Sequence, residues 1–540
     1  MTTAVAVAPS GVAAASPRPK PNRWLVTLSV SFGTLMGAVD ASIVNVALPH
    51  IRGAVGATVH EITWISTSYA IALVIVMPLT AFLSRMFGQK RVYMFCLGLF
   101  LLGSAACAFA GSLVSLVAFR ALQGLGAGAL QPTEQAILRQ TFPPEEQGMA
   151  MALFAMAVML GPALGPTLGG YIVDHWHWSW IFLINLPIGL IGLTMVGAFV
   201  IEDEELRERN RALAQSQRKN MDWAGILLLS VGLASIVYVL EEGQSKDWFD
   251  SQLISGCLAA GVLCLALFVA RELSATAPAV NLRLFRDPVF TSGTLIGSVM
   301  FAMLMANMFL LPIFMQELLG FSATQSGLAL MPRTLVMMVA VPIVGRLYNK
   351  LSPRLLIGVG IVFIAAGSLD QSRLTLESTA RDVILALGVQ GVGFACLFVP
   401  LTTVALASIP RHQLSDATGL NSLLRQIGGA VGLAAFVTLL DDYAVTARAS
   451  VSAHVSALNG QTVARLEMLT RGFVQTGLDY ASAKSAALLA LSGEVARQAM
   501  VLAFEKVFLL SGCMFVCIVP LLIFLKKPES ASRSPAELPH

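Results

Sequence analysis

Asp40 and Arg120 are ionisable residues that lie inside two long apolar runs of this sequence. A charged side chain in the middle of a membrane costs at least a few kcal/mol, so such residues usually face a cavity or a partner. Burial raises the pKa of a carboxyl group, whereas a nearby guanidinium lowers it. The chemistry that these two residue types could perform together is therefore the binding and release of a proton, with an affinity that depends on conformation.

The composition indicates what must hold such residues in place. Of the 540 residues, 56% are hydrophobic and 12% are charged, and the mean hydropathy is +0.75. Globular proteins average about 25% charged residues, and a soluble protein of this length could not hide so much apolar surface. The sequence therefore predicts an all-α polytopic membrane protein.

Fourteen apolar runs, each long enough to cross a hydrocarbon core of roughly 30 Å, predict fourteen membrane spans. The predicted spans are residues 24–48, 62–84, 92–110, 113–139, 149–172, 178–201, 223–241, 252–271, 289–312, 327–348, 354–370, 382–408, 420–440 and 503–525. Most lysines and arginines lie on one side of this arrangement, which predicts that side to be cytoplasmic. The even number of spans then places both termini in the cytoplasm.

The depths of the two ionisable residues predict that their side chains meet. Asp40 lies about 24 Å of helix rise beyond Trp24 in an outward span, and Arg120 lies about 10 Å below the outer start of an inward span. Both depths fall in the outer half of the membrane. Two interpretations stay open: a proton-coupling pair, which we favour, and a fixed structural pair that holds the two spans together.

An internal repeat predicts two related six-span halves. Residues related by an offset of 267 are Gln123 and Gln390, Gly124 and Gly391, Gly126 and Gly393, Pro143 and Pro410, Gly161 and Gly428, and Gly165 and Gly432. Small residues at four-residue spacing allow helix backbones to approach closely. Met303 lies near the position that aligns with Asp40, so the acid–base pair belongs to the first half alone.

The expected domain organisation follows from the spans and the repeat. It comprises a disordered cytoplasmic tail (1–22), an N-terminal six-helix bundle (23–201), a cytoplasmic linker (202–222), an inserted helix pair (223–273), a C-terminal six-helix bundle (289–525) with an outer loop (441–502), and a second cytoplasmic tail (526–540). The outer loop has a helical period with breaks near Gly460 and Gly477. We expect a helical hairpin or extensions of the flanking spans, and we favour a solvated cap over a docking surface.

Four motifs, taken as a set over about residues 24–525, resemble those of one family, the fourteen-span drug/proton antiporters of the major facilitator superfamily (EmrB/QacA type), and within it the EmrB branch. The matching residues are Asp40, Ile43, Val44, Asn45, Val46 and Pro49 in span one; Arg120, Gln123, Gly124, Gly126 and Gly128 in span four; Gly161, Pro162, Gly165, Pro166, Gly169 and Gly170 in the antiporter motif of span five; and Trp178, Trp180, Ile181, Phe182, Asn185, Pro187 and Gly189 in span six.

This resemblance implies a major facilitator fold of two six-helix bundles plus two inserted helices. It also implies multidrug efflux, and hence antibiotic resistance, at a bacterial inner membrane. The transporter would use the proton gradient, would have no bound cofactor, and would exchange protons for lipophilic small molecules. A periplasmic membrane-fusion adaptor and an outer-membrane channel are the implied partners of a tripartite pump.

The chain departs from the superfamily's inner-loop signature at Arg85, where an aspartate is usual. The usual Asp–Arg latch between spans two and three therefore cannot form, and the contacts of the inner gate stay open. For Glu134, near the inner end of span four, there are two interpretations, a titrating group and a solvated interfacial acid, and we favour the solvated acid. Arg333 and Arg425 are expected either to bond backbone carbonyls or to reach the cavity.

A large apolar cavity with few polar anchors suits lipophilic and structurally varied cargo. The candidate cavity residues are Asn45, Trp64, Tyr69, Gln123, Met156, Asn307, Phe314, Gln316 and Arg425. For each methionine or aromatic residue taken singly, packing between spans is the more frequent role.

Other classes of function receive little support. His175 and His177 lie beside tryptophans and predict an interfacial aromatic belt, not a metal site. The sequence contains no phosphate-binding loop of the Walker type, so we expect no ATP hydrolysis to drive transport. We also expect a secondary active transporter and not an enzyme, with membrane lipids as its surroundings and with no nucleic-acid partner. Two alternatives stay open: an exporter or importer of a single metabolite, and a non-transporting membrane scaffold or receptor.

Overall fold

A computed structural model describes residues 22–201, 222–275, 278–456 and 458–525 of the chain. These ranges are helical and contain no strand. Fourteen of the helices in the described ranges are long and apolar enough to cross a membrane, which confirms the predicted all-α fold with fourteen spans. The two predicted tails and the linker 202–222 lie outside the described residues, apart from Asn22 and Asp222.

The spanning helices follow the chain in order, and the end of the molecule at which the first one begins is called the inner end. They are α1 (Arg23–Val55), α2 (Trp64–Phe87), α3 (Gln89–Ala108), α4 (Leu113–Thr141), α5 (Gln147–His175), α6 (Trp180–Phe199), α7 (Trp223–Glu242), α8 (Gln252–Ser274), α9 (Pro288–Leu318), α10 (Thr324–Leu347), α11 (Pro353–Gln371), α12 (Ala380–Ala405), α13 (Arg411–His454) and α14 (Tyr480–Phe524).

Glycines of α5 allow α1 to pack against it at backbone distance. A Cβ atom added to Gly161 would lie 2.3 Å from the Cβ of Ala38, and one added to Gly165 would lie 1.8 Å from Ser42 Oγ. The Ser42 hydroxyl also donates a hydrogen bond of 3.0 Å to the Gly161 carbonyl. Because the two backbones touch here, the position of α1, which carries Asp40, is fixed from one side by α5.

The second half repeats this packing between α13 and α9. A Cβ atom on Gly428 would lie 2.6 Å from the carbonyl oxygen of Ser298, and one on Gly432 would lie 2.3 Å from the Cβ of Ala302. The predicted repeat thus corresponds to the same helix contact built twice. Each half uses small residues at four-residue spacing to join its first and fifth helices.

The packing changes one detail of the repeat alignment. Ala38 contacts Gly161 of α5, and Ser298 contacts the equivalent glycine of α13, Gly428. Ala38 and Ser298 are therefore equivalent positions. Continuing this register by two residues places Met300, and not Met303, at the position equivalent to Asp40. Either residue is a methionine, so the acid still has no counterpart in the second half.

The inserted pair α7 and α8 joins the two halves at the outer end. The Thr63 hydroxyl donates to Glu242 over 2.7 Å, and Gln244 Nε2 donates to Asp441 over 2.6 Å. Trp248 Nε1 reaches Thr438 of α13 over 3.2 Å. The short loop after α7 therefore contacts α13, while α7 itself bonds to the loop before α2.

The outer segment consists of long extensions of α13 and α14 with one additional helix, Gly460–Gln475, between them. Both expected arrangements occur: the flanking spans extend, and the additional helix forms a hairpin with α14, to which residues 476–479 connect it. The breaks lie beside Gly460, which begins the additional helix, and at Gly477, which has a φ of 98°. Arg465 and Glu494 form an exposed ion pair of 2.6 Å within this segment.

Candidate functional site

Asp40 and Arg120 form an ion pair deep inside the N-terminal half. Arg120 Nη1 donates to Asp40 Oδ2 over 2.6 Å, and the side chains of Arg120 and Asp40 are 1% and 0% exposed. The depths calculated from helix rise are therefore matched by a direct contact between α1 and α4. The pair is closed to solvent in this conformation.

Two amides complete the hydrogen bonding of the carboxylate. Gln123 Nε2 and Asn185 Nδ2 donate to Asp40 Oδ1 over 2.9 and 2.8 Å. Gln123 Oε1 in turn accepts from Arg120 Nη1 over 2.8 Å. The structure thus places Gln123, a candidate cavity residue, within the ion-pair network, which we call the Asp40 network (Asp40, Arg120, Gln123 and Asn185).

Tyr69, another candidate cavity residue, belongs to the surroundings of the network. Its ring centroid lies 4.2 Å from the Arg120 guanidinium carbon, so the cation rests on the aromatic face. Arg120 Nε donates to the Ile65 carbonyl over 3.3 Å. The guanidinium is therefore held by α2 as well as by α1.

Sequence reasoning missed Asn185 and Ser104 as members of the site. Asn185 donates to both Asp40 and the Ser104 hydroxyl, and Ser104 donates to the Phe182 carbonyl over 2.8 Å. Asn185 carried a signal, because it is a polar residue in an apolar span and part of the family-like motif. Ser104 carried none, since serines are frequent in membrane helices.

Two candidates near the outer end of α1 and α2 are not enclosed. Asn45 is exposed and accepts a hydrogen bond of 3.1 Å from Ser66. Trp64 is 37% exposed and stacks on Tyr238 of α7, with ring centroids 5.5 Å apart. The structure therefore separates both residues from the Asp40 network.

The candidates in the second half lie in three different environments. Phe314 is buried in an aromatic cluster with Phe504 and Phe508, at centroid distances of 5.2 and 6.2 Å. Gln316 is exposed at the end of α9. Asn307 is buried, and its Oδ1 has no hydrogen-bond partner among the described residues. In the first half, Met156 of α5 is half-buried and packs against the main hydrophobic core.

Arg425 and Arg333 are both buried, and no described carbonyl or carboxylate accepts a hydrogen bond from either guanidinium. The Arg425 guanidinium lies 5.4 Å from the ring of Phe398 and 5.9 Å from that of Phe301. Of the two roles expected for these arginines, backbone bonding is absent from the described part of the chain.

Glu134 is not the solvated interfacial acid that we expected. It is fully buried, and its Oε1 accepts a hydrogen bond of 2.9 Å from Ser31 of α1. Its Oε2 has no partner among the described residues. The expectation was wrong because position along a helix gives depth but not direction, and this side chain points at α1.

The structure supplies the inner contacts that the sequence left open. Arg85 Nη1 donates to both carboxylate oxygens of Asp416 on α13, over 2.7 and 2.8 Å. Gln89 Nε2 donates to Ser415 Oγ over 2.9 Å. We call these four residues the inner latch, because they join the first half to the second at the inner end. Asn349 strengthens the closure by donating to the Glu145 carbonyl over 2.6 Å.

The described ranges contain no group of three or more His, Cys, Asp or Glu side chains that could hold a metal ion. His175 stacks on Tyr171 with centroids 4.4 Å apart, and His177 lies beside Trp178. These contacts are those of an aromatic belt.

Comparisons with known proteins place this chain among transporters. A family model described as "Major Facilitator Superfamily" matches residues 30–433. "Multidrug export protein EmrB" of Escherichia coli (strain K12) is 30% identical over 512 residues, which cover 94% of this chain and 96% of that protein. "Fatty acid resistance protein FarB" of Neisseria gonorrhoeae is 33% identical over 506 residues, with coverages of 93% and 96%.

A solved structure shares the fold at low identity. It is the proton:xylose symporter XylE, bound to 6-bromo-6-deoxy-D-glucose, with a TM-score of 0.61 and 13% identity. The match covers 93% of this chain and 95% of that chain. This likeness concerns the arrangement of the helices alone.

Proposed function

The chain belongs to the major facilitator superfamily, and on that premise we propose that it exports lipophilic drugs or toxic amphiphiles in exchange for protons. It is a multi-pass membrane transporter and not an enzyme. Relatives named for multidrug export and for fatty acid resistance, similar over nearly their whole length, support a lipophilic cargo.

The Asp40 network is the observation that carries the proton-coupled part of the proposal. It contains a carboxylate that is 0% exposed and bonded to one cation and two amides. Protonation would neutralise the carboxylate and weaken its attraction to the guanidinium. A conformational change that loosens these donors or admits water therefore changes the affinity for a proton, and only such a difference between states can couple proton and cargo.

All members of the network belong to the N-terminal half, which restricts how coupling can operate. A rigid rocking of one half against the other leaves the distance between Asp40 and Arg120 unchanged. We therefore infer that coupling acts through water entry or through a local shift of α1 against α4 and α6. The glycine contact between α1 and α5 transmits such a shift to the helix that faces the second half.

Alternating access requires that the inner latch opens. Arg85 and Asp416 are largely buried and lie in different halves, so their separation would open the inner end. The fold of two halves with a site between them is the arrangement in which one half moves against the other. We propose that this closed inner end is one of the two access states.

We also propose a bacterial inner-membrane location, cytoplasmic termini and a tripartite pump in which the outer segment engages a periplasmic adaptor. The described residues of 441–502 form the outer ends of α13 and α14 and the helix between them, and they expose apolar side chains, among them Val445, Leu458 and Leu489. Exposed apolar groups in contiguous patches mark interaction surfaces. The same helices would act as a cap if no adaptor binds.

Inverted membrane vesicles test the proposed antiport. Adding a lipophilic drug to vesicles that hold an imposed proton gradient should release protons with the unmodified protein. The Asp40→Asn variant should release none, because the amide keeps a similar shape but does not titrate. Asp370→Asn, which removes an exposed acid of α11, is the matched control and should behave like the unmodified protein.

Retained proton release in a folded Asp40→Asn variant would exclude Asp40 from coupling. If no drug releases protons even with the unmodified protein, the antiport proposal itself fails.

A further inference from the structure

Arg425 is a buried cation of the second half that has no counter-ion among the described residues. It lies about 16 Å of helix rise from Leu414, near mid-membrane, and is 4% exposed. Burying an unpaired charge costs several kcal/mol, so such a charge usually has a partner. Asp416 is the one buried carboxylate among the described residues of the second half, and it binds Arg85.

Hydrogen-bond donors without partners lie on the same helix face as Arg425. Arg425 Nη1, Asn421 Nδ2 and Ser422 Oγ have no partner among the described residues. Asn421 and Ser422 precede Arg425 by four and three residues, so all three side chains share one face of α13. An amide nitrogen, a hydroxyl and a guanidinium can all donate to the same oxygen-rich group.

The facing helix α9 contributes a further group at the same level. A Cβ atom on Gly297 would lie 3.7 Å from Arg425 Cδ, so α9 approaches the arginine closely at this point. Thr294, one helical turn earlier on α9, is fully buried, and its hydroxyl has no partner among the described residues. The unpartnered groups therefore come from two helices that face each other.

Aromatic rings form the apolar wall of the site around Arg425. The Arg425 guanidinium lies over Phe398 of α12 and Phe301 of α9. Phe398 also contacts Phe154 of α5, with ring centroids 6.2 Å apart, and α5 belongs to the first half. The cation, the donors and the rings therefore meet where the two halves join, which is where a transported molecule must pass.

We propose that Arg425, with Asn421, Ser422 and Thr294, binds the negatively charged group of the cargo, so that the exported amphiphiles are lipophilic anions such as carboxylates or sulfonates. This inference rests on the proposed export function and specifies the charge of its substrate. The anion supplies the counter-ion that Arg425 does not find among the described residues, and Phe398 and Phe301 hold its apolar body. Arg333 is also buried, its Nη1 has no partner among the described residues, and it adds positive charge to the same half.

Binding of radiolabelled laurate to the purified full-length protein in lipid nanodiscs tests the inference without requiring transport. Dodecanesulfonate, dodecanol and dodecyltrimethylammonium share one alkyl chain and differ in charge, so they serve as competitors, with empty nanodiscs as background. With the unmodified protein, the anion should displace laurate at a concentration about ten-fold or more below that of the cation.

Arg425→Gln should weaken laurate binding about ten-fold or more, because a charge-assisted hydrogen bond is lost. The affinity of Arg425→Gln for dodecanol should change less than about two-fold. Arg425→Lys should keep most of the affinity for laurate. If Arg425→Gln does not fold, Asn421→Ala and Thr294→Val replace it, and each should weaken laurate binding more than dodecanol binding.

Equal displacement by the anion and the cation, or unchanged laurate binding in folded Arg425→Gln, would overturn the inference. A different result would contradict the proposed antiport alone. In that case laurate would still bind in nanodiscs, but vesicles would release no protons on addition of any drug. Proton release driven equally by dodecyltrimethylammonium and laurate, and insensitive to Arg425→Gln, would retain antiport and reject the anion site.

Discussion

At the scale of single residues, the two buried acids of the N-terminal half differ in what compensates them. Asp40 bonds to a guanidinium and to two amides, whereas Glu134 accepts one hydrogen bond from a serine and has no cation among its described partners. Asn185 is the donor that ties Asp40 to α6. The carboxylate therefore depends on donors from two helices, α4 and α6, and the loss of one donor should be measurable.

Asn185→Ala should lower the free energy of unfolding by about 2 kcal/mol, because a buried charged acceptor and the Ser104 hydroxyl each lose a donor. Unfolding by SDS in mixed micelles measures this change. Asn45→Ala is the matched control, since Asn45 lies in the same half but is exposed, and its effect should stay within about 0.5 kcal/mol. Equal losses in the two variants would show that the Asp40 network adds no particular stability.

At the scale of helices, glycines at four-residue spacing determine which spans pack at backbone distance. Gly161 and Gly165 of α5 admit α1, and Gly428 and Gly432 of α13 admit α9, so one packing solution is used in both halves. Gly170 lies on the same α5 helix, but a Cβ atom there would meet nothing within 4 Å. The glycines of the antiporter motif are therefore not equivalent, and substitution can separate their roles.

Gly165→Ala should destabilise the protein by about 1–3 kcal/mol, because its methyl group would overlap the Ser42 hydroxyl. Gly170→Ala should leave stability and drug-driven proton release close to those of the unmodified protein. Thermal unfolding in detergent, followed by the vesicle assay, measures both effects. Adding Ser42→Gly should restore part of the stability that Gly165→Ala loses. If it does not, the alanine methyl group clashes with a residue other than Ser42.

At the scale of the whole molecule, charge is divided between the halves. The first half holds a compensated acid, and the second holds arginines without described counter-ions, at Arg333 and Arg425. Proton chemistry and cargo binding are thus proposed for different bundles. The contacts that join the bundles, such as the inner latch, must therefore carry the coupling between them.

The sequence predicts how deep in the membrane a residue lies, but it does not predict in which direction around the helix its side chain points. Hydropathy and helix rise determine depth, so the fourteen spans and the meeting of Asp40 with Arg120 were predictable. Direction around a helix is set by tertiary packing, which is why Glu134 is buried against expectation. The partner of Arg85, Asp416, could not be predicted for a similar reason. It lies 331 residues away in the sequence, and no local pattern identifies it.

The inner latch makes a prediction about the closure of the whole molecule. Arg85→Ala should increase hydrogen–deuterium exchange in the inner segments 84–91 and 411–418, because it leaves Asp416 buried without its charge partner, a loss of about 3–5 kcal/mol in buried pairs. Arg85→Asp alone should open these segments further through repulsion. Combining it with Asp416→Arg should return exchange towards that of the unmodified protein, since the opposite charges again face each other across the halves.

Arg465→Ala provides the comparison for this measurement. Arg465 also forms a short ion pair, with Glu494, but that pair is exposed and lies within the outer segment. Exposed pairs contribute about 0–1 kcal/mol, so exchange at the inner segments should not change. If Arg85→Ala likewise leaves the inner segments protected, the pair does not hold the inner end closed. The closure would then depend on the backbone contacts of α5 with α10, where a Cβ atom on Gly148 would lie 2.8 Å from the Gly345 carbonyl oxygen.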